Sequence, residues 1–279
     1  MAYPKRPLEF YGLPAVSPPS EEMRRALAEQ DCPFRERRCI KVRKSEPGQT
    51  IGACVVGFQG AAILICPHRM TDGGTIFRNA ALLLSDDAQR RGRIRVVPEV
   101  TMPGGSIDYF IVAFGNRGEI LDFVGLEIQT LDTTGTKGVW DCRVDLAAGR
   151  RLATRYEYGM NWKMTAKTIL VQILHKAGTF EMLGKKLVLT IQREFFRYLQ
   201  ENFRFEHVRE AQDADPVHFH VYDLKPRENQ RAGLVLVDRY SVPAAAIPEI
   251  IHGSDESVTL EEAERRIGAK ARAAFDLPA

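Results

Sequence analysis

The chain has 279 residues, 44% of them hydrophobic, which is enough to bury one large core or a core with a smaller attached lobe and excludes disorder throughout. The formal net charge of +3 is too small by itself to indicate a nucleic-acid partner. No apolar run reaches the roughly 20 residues that span a bilayer, and none of signal-peptide length follows Lys5 and Arg6, so we expect a cytoplasmic protein without a membrane partner.

The N-terminal third is predicted to mix short strands with helices. Five prolines within residues 1–20 predict an irregular arm. A helix should follow, because Ser20 can cap it and Glu21 and Glu22 suit the positive end of its dipole. The patterns then predict two buried strands, a helix and a third strand, over 51–58, 61–66, 75–90 and 93–100.

The clearest element is a hairpin, with strands over about 106–114 and 119–131 on either side of a turn at 115–118. Antiparallel pairing about this turn places Asp108 opposite a residue between Gly125 and Glu127. The two acids are therefore predicted to be near neighbours.

Three helices are predicted after the hairpin, over 165–176 with a stop at Gly178, over 191–202, and over 259–274. The last begins with a capping box from Thr259 to Glu262. Strands followed by helices, without strict alternation, indicate a mixed α/β (α+β) fold.

The hairpin acids form a candidate site for a divalent metal. Glu127 and Gln129 share one strand face while Ile128 points into the core, so Asp108, Glu127 and the Ile128 carbonyl could hold Mg²⁺, with Glu99 completing the acidic cluster. A cation held there could polarise a phosphate and lower the pKa of a bound water. In the alternative reading, Asp108 caps a strand and Glu127 lies at a solvated edge.

Two neighbouring features complete the interpretation of the hairpin. The Pro103-Gly-Gly loop before Ser106 lets a partner backbone approach. Asp122 and Asp132 are interpreted as surface acids.

Four cysteines lie within 35 positions, and four thiolates could enclose one tetrahedral Zn²⁺ or iron ion. They are Cys32, Cys39, Cys54 and Cys66. Four buried apolar thiols are the alternative, and His68 could substitute as a ligand. Cys142, which stands apart, is interpreted as a buried thiol.

Residues 143–210 hold 13 Lys or Arg against 7 Asp or Glu, an excess that suits contact with phosphates or, equally, a solvated helical face. Asn161, Lys163 and Lys167 could meet phosphate there. His218 and His220 share a strand face but are more typical of ordinary strand histidines than of a metal site. No phosphate-binding loop, nucleophile elbow or dinucleotide fingerprint occurs.

Together these motifs resemble the NotI family of restriction endonucleases over roughly residues 30–180. The matching residues are Cys32-Pro-Phe, Cys39, Ile51-Gly-x-Cys54, Ile65-Cys-Pro-His-Arg69, Glu99-Val, Gly-Ser-Ile-Asp108-Tyr, Asp122-Phe-x-Gly-x-Glu127-x-Gln129-Thr-x-Asp132 and Gly159-Met-Asn-Trp-Lys-Met164. Each motif is weak alone, and their shared order is fairly specific.

The resemblance implies a PD-(D/E)xK nuclease core in which Gln129 replaces the usual lysine. It implies that Asp108 and Glu127 bind Mg²⁺, that Glu99 is an additional acid, and that Gln129 orients water or substrate, since an amide is no general base. It further implies a structural iron on the four cysteines and a homodimer that cuts double-stranded DNA at GC-rich palindromes.

We therefore expect an N-terminal arm, helix and cysteine lobe over residues 1–90 and a nuclease core with a basic helical region over 91–279. The predicted function is that of a Mg²⁺-dependent type II restriction endonuclease. Two alternatives are a non-catalytic DNA-binding or regulatory protein that keeps the nuclease fold, and an interaction protein stabilised by its cysteine lobe.

Overall fold

The chain folds into a mixed α/β protein, as predicted, and the computed structural model describes residues 2–43, 46–102, 104–135, 137–227, 230–251 and 259–269. In chain order the strands are β1 Pro7–Phe10, β2 Leu13–Pro14, β3 Asp31–Cys32, β4 Arg37–Arg38, β5 Val42–Arg43, β6 Glu46–Thr50, β7 Ala53–Phe58, β8 Ala61–Leu64, β9 Arg93–Met102, β10 Gly105–Phe114, β11 Ile120–Gln129, β12 Thr133–Thr134, β13 Gly159–Met160, β14 Lys186–Gln192, β15 Arg209–Glu210, β16 Val217–Arg227 and β17 Gln230–Val242.

The helices alternate with groups of these strands. They are α1 Glu21–Glu29, α2 Pro67–Met70, α3 Thr75–Ala81, α4 Asp86–Arg91, α5 Lys137–Ala147, α6 Trp162–Met182, α7 Arg193–Asn202, α8 Ile247–Ile251 and α9 Leu260–Gly268, with short 3-10 turns at Asp72–Gly74 and Ala244–Ala246. Helix α1 begins where its cap predicts, because the Ser20 hydroxyl accepts a hydrogen bond from the Met23 N–H at 3.1 Å.

The N-terminal residues form sheet structure, so the predicted irregular arm is wrong. Strand β1 lies inside a four-stranded sheet of order β2-β1-β7-β8. Pro7 and Pro14 occupy the ends of their strands, where a missing N–H is tolerated. Phe10 of β1 is fully buried in the main hydrophobic core, which offsets the poor strand propensity of its neighbours.

A seven-stranded sheet forms the centre of the molecule, in the order β15-β17-β16-β14-β11-β10-β9. Strands β9, β10 and β11 form an antiparallel meander. After α5 and α6 the chain returns as β14, which pairs parallel to β11, and β16 continues the parallel pairing. The predicted hairpin is confirmed, and its register pairs Tyr109 with Leu126 and Phe110 with Gly125.

Three predicted helix boundaries are wrong. The helix over 75–90 is two helices, α3 and α4, separated at residues 82–85. Helix α6 continues past Gly178 to Met182, because burial of Phe180 outweighs the roughly 1 kcal/mol cost of a helical glycine. Ile191 belongs to β14, so α7 begins at Arg193. The predicted end of the last helix, beyond residue 269, lies outside the described residues.

One hydrophobic core joins the N-terminal sheet to the central sheet. It contains Phe10 and Val56 from the first, Ile169 from α6, and Leu189 and Phe219 from the second. The hairpin therefore belongs to a sheet that packs against this shared core.

Among the described residues, no helix is both long and apolar enough to cross a membrane.

Candidate active site

The hairpin brings two acids together. The pairing Tyr109 to Leu126 places Asp108 level with Glu127, within the predicted range. At this level the Asp108 carboxylate, rather than a backbone carbonyl, accepts a hydrogen bond from the Ile128 N–H at 2.8 Å. Asp108 therefore does cap the strand, but Glu127 is only 5% exposed, which contradicts the alternative of a solvated edge.

Glu127 is held by a lysine from helix α6. Lys176 Nζ lies 2.7 Å from Glu127 Oε1 and 2.8 Å from the carbonyl oxygen of Ser106. Helix α6 covers the sheet face that carries both acids, and its Phe180 stacks with Phe110 of β10. The buried Glu127 carboxylate therefore forms an ion pair beside the partly exposed Asp108 on the adjacent strand.

Burial dominates the electrostatics of both acids. It raises the pKa of Glu127 to about 7, with Asp108 adding repulsion and the Lys176 hydrogen bond acting in the opposite direction. Burial also raises the pKa of Asp108, against the Ile128 N–H and Lys176, while Glu99 adds repulsion. The two carboxylates are thus incompletely compensated, and such raised pKa values are enriched at functional sites.

Glu99 lies on the edge strand β9, beside Asp108. The pairs Ile107 with Val100 and Tyr109 with Pro98 place Glu99 level with Asp108, so three acids occupy one row across three strands. Glu99 is exposed and has a positive φ of 48°, a backbone conformation that costs a non-glycine residue energy. It therefore lies at the solvent rim of the acid pair.

Gln129 lies one strand repeat beyond Glu127 and is partly buried. Its side-chain amide donates a hydrogen bond to the Thr130 carbonyl at 2.7 Å. Gln129 also lines a cavity of about 320 Å³ that it shares with Cys32, Cys39 and His68. The acid pair and the cysteine lobe are therefore adjacent in space.

The four predicted cysteines are gathered around Cys66. A hydrogen bond with Cys54 and the positive charge of Lys41 help to lower the pKa of Cys66 to about 6, against its burial. Burial raises the pKa of Cys32 and Cys39, and the sulfur of Cys66 raises both further. All five cysteines are free thiols, and Cys142 is fully buried as predicted.

The donor chemistry at each site fits a different metal. In the described ranges no group of three or more His, Cys, Asp or Glu is close enough to hold an ion in the present arrangement. The hard oxygens of Asp108 and Glu127 suit Mg²⁺, which is commonly held by one or two carboxylates with waters and phosphates. Four sulfurs centred on Cys66 suit a thiophilic ion.

The predicted DNA-contacting residues lie at the start of α6, away from the acid pair. Asn161 precedes the helix, and its N–H donates to the Asp132 carbonyl at 2.9 Å. Lys163 and Lys167 are exposed. Lys167 and Lys176 are nine residues apart, which places them on opposite sides of the helix.

Two features of the site differ from the sequence interpretation. Asp122 is buried, 8% exposed, and contacts Lys185, so its assignment as a surface acid is wrong. Lys176 was not predicted as a site residue. A signal for it exists in the sequence, since it occupies the same helix stripe as the buried Ile169, Ile173 and Phe180.

His218 and His220 are buried in β16, and desolvation lowers the pKa of His220 to about 3.

The fold and this site define a mixed α/β protein whose central sheet carries a pair of neighbouring carboxylates on adjacent strands, one of them buried. The chain matches the family described as Restriction endonuclease NotI over residues 20–236, most of its length, and it belongs to the NotI restriction endonuclease family. Comparison with curated proteins and with solved structures gave no match. The predicted family is confirmed, and membership makes the chain a DNA-binding nuclease.

Proposed function

We propose that this protein is a type II restriction endonuclease that cuts both strands of DNA with Mg²⁺ at a GC-rich palindrome. The observation that carries the proposal is the pairing of the partly exposed Asp108 with the buried Glu127 on adjacent strands, joined through the Ile128 N–H at 2.8 Å. Family membership supports the reaction class. The palindromic, GC-rich site is carried over from the family resemblance.

The order of elements supports a PD-(D/E)xK core. Helix α4 precedes the meander β9-β10-β11, helix α6 follows it, and β14 then pairs parallel to β11. Within this core Asp108, Glu127 and the Ile128 carbonyl would hold Mg²⁺, and Glu99 would contribute charge at the rim. Mg²⁺ there would polarise the scissile phosphate and make water more acidic.

The chain's own residues would position the reactants. Gln129 is neutral and cannot take a proton from water, so its role would be to orient water or the phosphate with its amide. Lys163, Lys167 and Asn161 would contact the DNA backbone, because exposed lysines at a helix start fix register without reading bases. A homodimer would match a two-fold target.

We also propose that Cys32, Cys39, Cys54 and Cys66 hold a structural iron or zinc ion. The support is the electrostatic coupling of the other three sulfurs to Cys66. Elemental analysis and an absorbance spectrum of purified protein test this: ferric iron in four thiolates is coloured and zinc is not. Absence of both metals would overturn the assignment.

Digestion of genomic DNA tests the nuclease. Purified protein should yield discrete fragments with Mg²⁺ and intact DNA with EDTA, and sequenced fragment ends should share one palindrome. Asp108→Asn should remove cleavage because it removes a metal-binding charge. Intact DNA with wild-type protein and Mg²⁺ would favour the non-catalytic DNA-binding alternative, and random ends would exclude a type II enzyme.

A further inference from the structure

The lysine in contact with the acid pair comes from α6, outside every motif in the hairpin. The Lys176 ammonium lies 2.7 Å from Glu127 Oε1, and the two side chains are 5% and 6% exposed. Lysine is almost never buried this deeply unless it is paired. The second contact, 2.8 Å to the Ser106 carbonyl, fixes the ammonium between β10 and β11.

Lys176 also supplies the compensating charge. Within the part of the chain that the structure describes, it is the cation among the charged groups that act on Asp108 and Glu127. Residue 129, by contrast, is a neutral glutamine whose amide is already bound to the Thr130 carbonyl. The positive charge at this site therefore comes from the helix.

The glycines before β10 make room for this arrangement. Gly104 has a φ of +93°, and a Cβ there would lie 2.7 Å from the carbonyl oxygen of His175. A Cβ on Gly105 would lie 3.5 Å from Lys176 Cε. The backbone that approaches these glycines closely is that of α6, at the turn that carries Lys176.

We propose that Lys176 is the positioning lysine of this active site, which fixes the Glu127 carboxylate through Oε1 and supplies the positive charge that residue 129 lacks. This inference rests on the proposed function, in which Asp108 and Glu127 form the site that cleaves DNA. Lys176 acts through Glu127 rather than on DNA, because its side chain is buried and its ammonium is bound to Glu127 and to the Ser106 carbonyl. Its loss should therefore slow the chemical step and leave DNA affinity unchanged.

Single-turnover kinetics separate these two quantities, since the plateau rate reports chemistry and the half-saturating protein concentration reports binding. Lys176→Met should lower the plateau rate by about 10²-fold or more, the range for loss of one preorganised electrostatic contact. The plateau rate of Lys176→Arg should be at least about tenfold higher than that of Lys176→Met. The half-saturating concentration should stay within about threefold for both.

Lys185→Met is the matched control. Lys185 also pairs with a buried acid of β11, Asp122, at 2.5 Å, but it lies at the other end of the strand. Its removal should lower stability and leave the plateau rate within about threefold of wild type. A Lys176→Met protein that cleaves as fast as Lys185→Met would overturn the proposal.

Gly104→Ala tests the same placement without changing a charge. The new Cβ should push α6 outward and lower the plateau rate. Gly118→Ala is the control, because it introduces similar backbone strain at φ +83° but its new Cβ has nothing within 4 Å. If Lys176→Met does not fold, equal plateau rates for these two alanine variants overturn the proposal. Failure of wild-type protein to cleave would instead overturn the proposed function, so the two failures are distinct.

Discussion

Strand β11 carries two buried carboxylates five residues apart, and each contacts a lysine, yet their pKa values move in opposite directions. Asp122 accepts hydrogen bonds from Lys185 at 2.5 Å and from the N–H groups of Ser85 and Phe123 at 2.8 Å. Burial raises the pKa of Asp122, but these hydrogen bonds lower it by more, so the net pKa lies below its usual value.

Glu127 has a similar partner but fewer donors. Lys176 compensates one carboxylate oxygen, while deeper burial and the neighbouring Asp108 raise the pKa to about 7. A fully compensated acid such as Asp122 stabilises the fold, whereas the proposed function requires an incompletely compensated pair that can take up a cation. On that proposal Asp122 is a structural acid and Glu127 is a site acid on the same strand.

The largest expected difference is in cleavage. Glu127→Gln should lower the cleavage rate by about a thousandfold or more, because the proposed Mg²⁺ site would lose a charged ligand and with it several kcal/mol of transition-state stabilisation. Asp122→Asn should cleave within about threefold of wild type at a temperature where it is folded. Gel assays of one DNA substrate measure both rates, and equal losses in the two variants would remove the distinction.

The pH dependence of stability should differ between the two acids. Because folding raises the pKa of Glu127 from 4.5 to about 7, the folded protein binds its proton more tightly. The free energy of unfolding should therefore fall as pH rises from about 4.5 to about 7, by about 3 kcal/mol at 1.36 kcal/mol per pKa unit.

Urea unfolding of metal-free protein at pH 5 and pH 8 measures that fall. Glu127→Gln should lack it. The stability that Asp122 contributes is present above its usual pKa and is lost only as pH falls through its lowered pKa. Asp122→Asn should therefore lower the free energy of unfolding by the same amount at pH 5 and at pH 8. Parallel curves for wild type and Glu127→Gln would contradict the raised pKa.

The smallest expected effect is on stability at neutral pH. Asp122→Asn should cost about 2 kcal/mol, because Lys185 and the Ser85 N–H lose a charged acceptor. Asp108→Asn should cost less, since an asparagine oxygen can still accept from Ile128 and a disfavoured charge is removed. Denaturant midpoints compare the two, and a larger loss at Asp108 would reverse the assignment of structural and site acid.

The sequence predicts the acid pair well because a hairpin is local. The turn at residues 115–118 sets the register, and the two-residue period of a strand then places Asp108, Glu127 and Gln129 relative to one another. The mixed α/β class, α1 with its Ser20 cap, and the hairpin strands follow from similarly local signals.

The partners of these acids depend on tertiary packing, which no local pattern contains. The break between α3 and α4 places the Ser85 N–H within hydrogen-bond distance of Asp122, a contact between residues far apart in the sequence. Lys176 reaches Glu127 only because α6 packs on the sheet face beside Gly104. The cysteines lie on short strands and loops. Their spacing in the sequence does not by itself predict that they gather around Cys66.

Anomalous diffraction from a crystal soaked in Mn²⁺, a heavier substitute for Mg²⁺, would locate the metal. One peak is expected between Asp108 and Glu127, at about 2.0–2.3 Å from an oxygen of each carboxylate. No peak is expected at Asp122, whose oxygens already accept hydrogen bonds from Lys185 and Ser85. A peak at Asp122, or an empty acid pair in crystals of protein that cleaves DNA with Mn²⁺, would contradict the assignment of the active site.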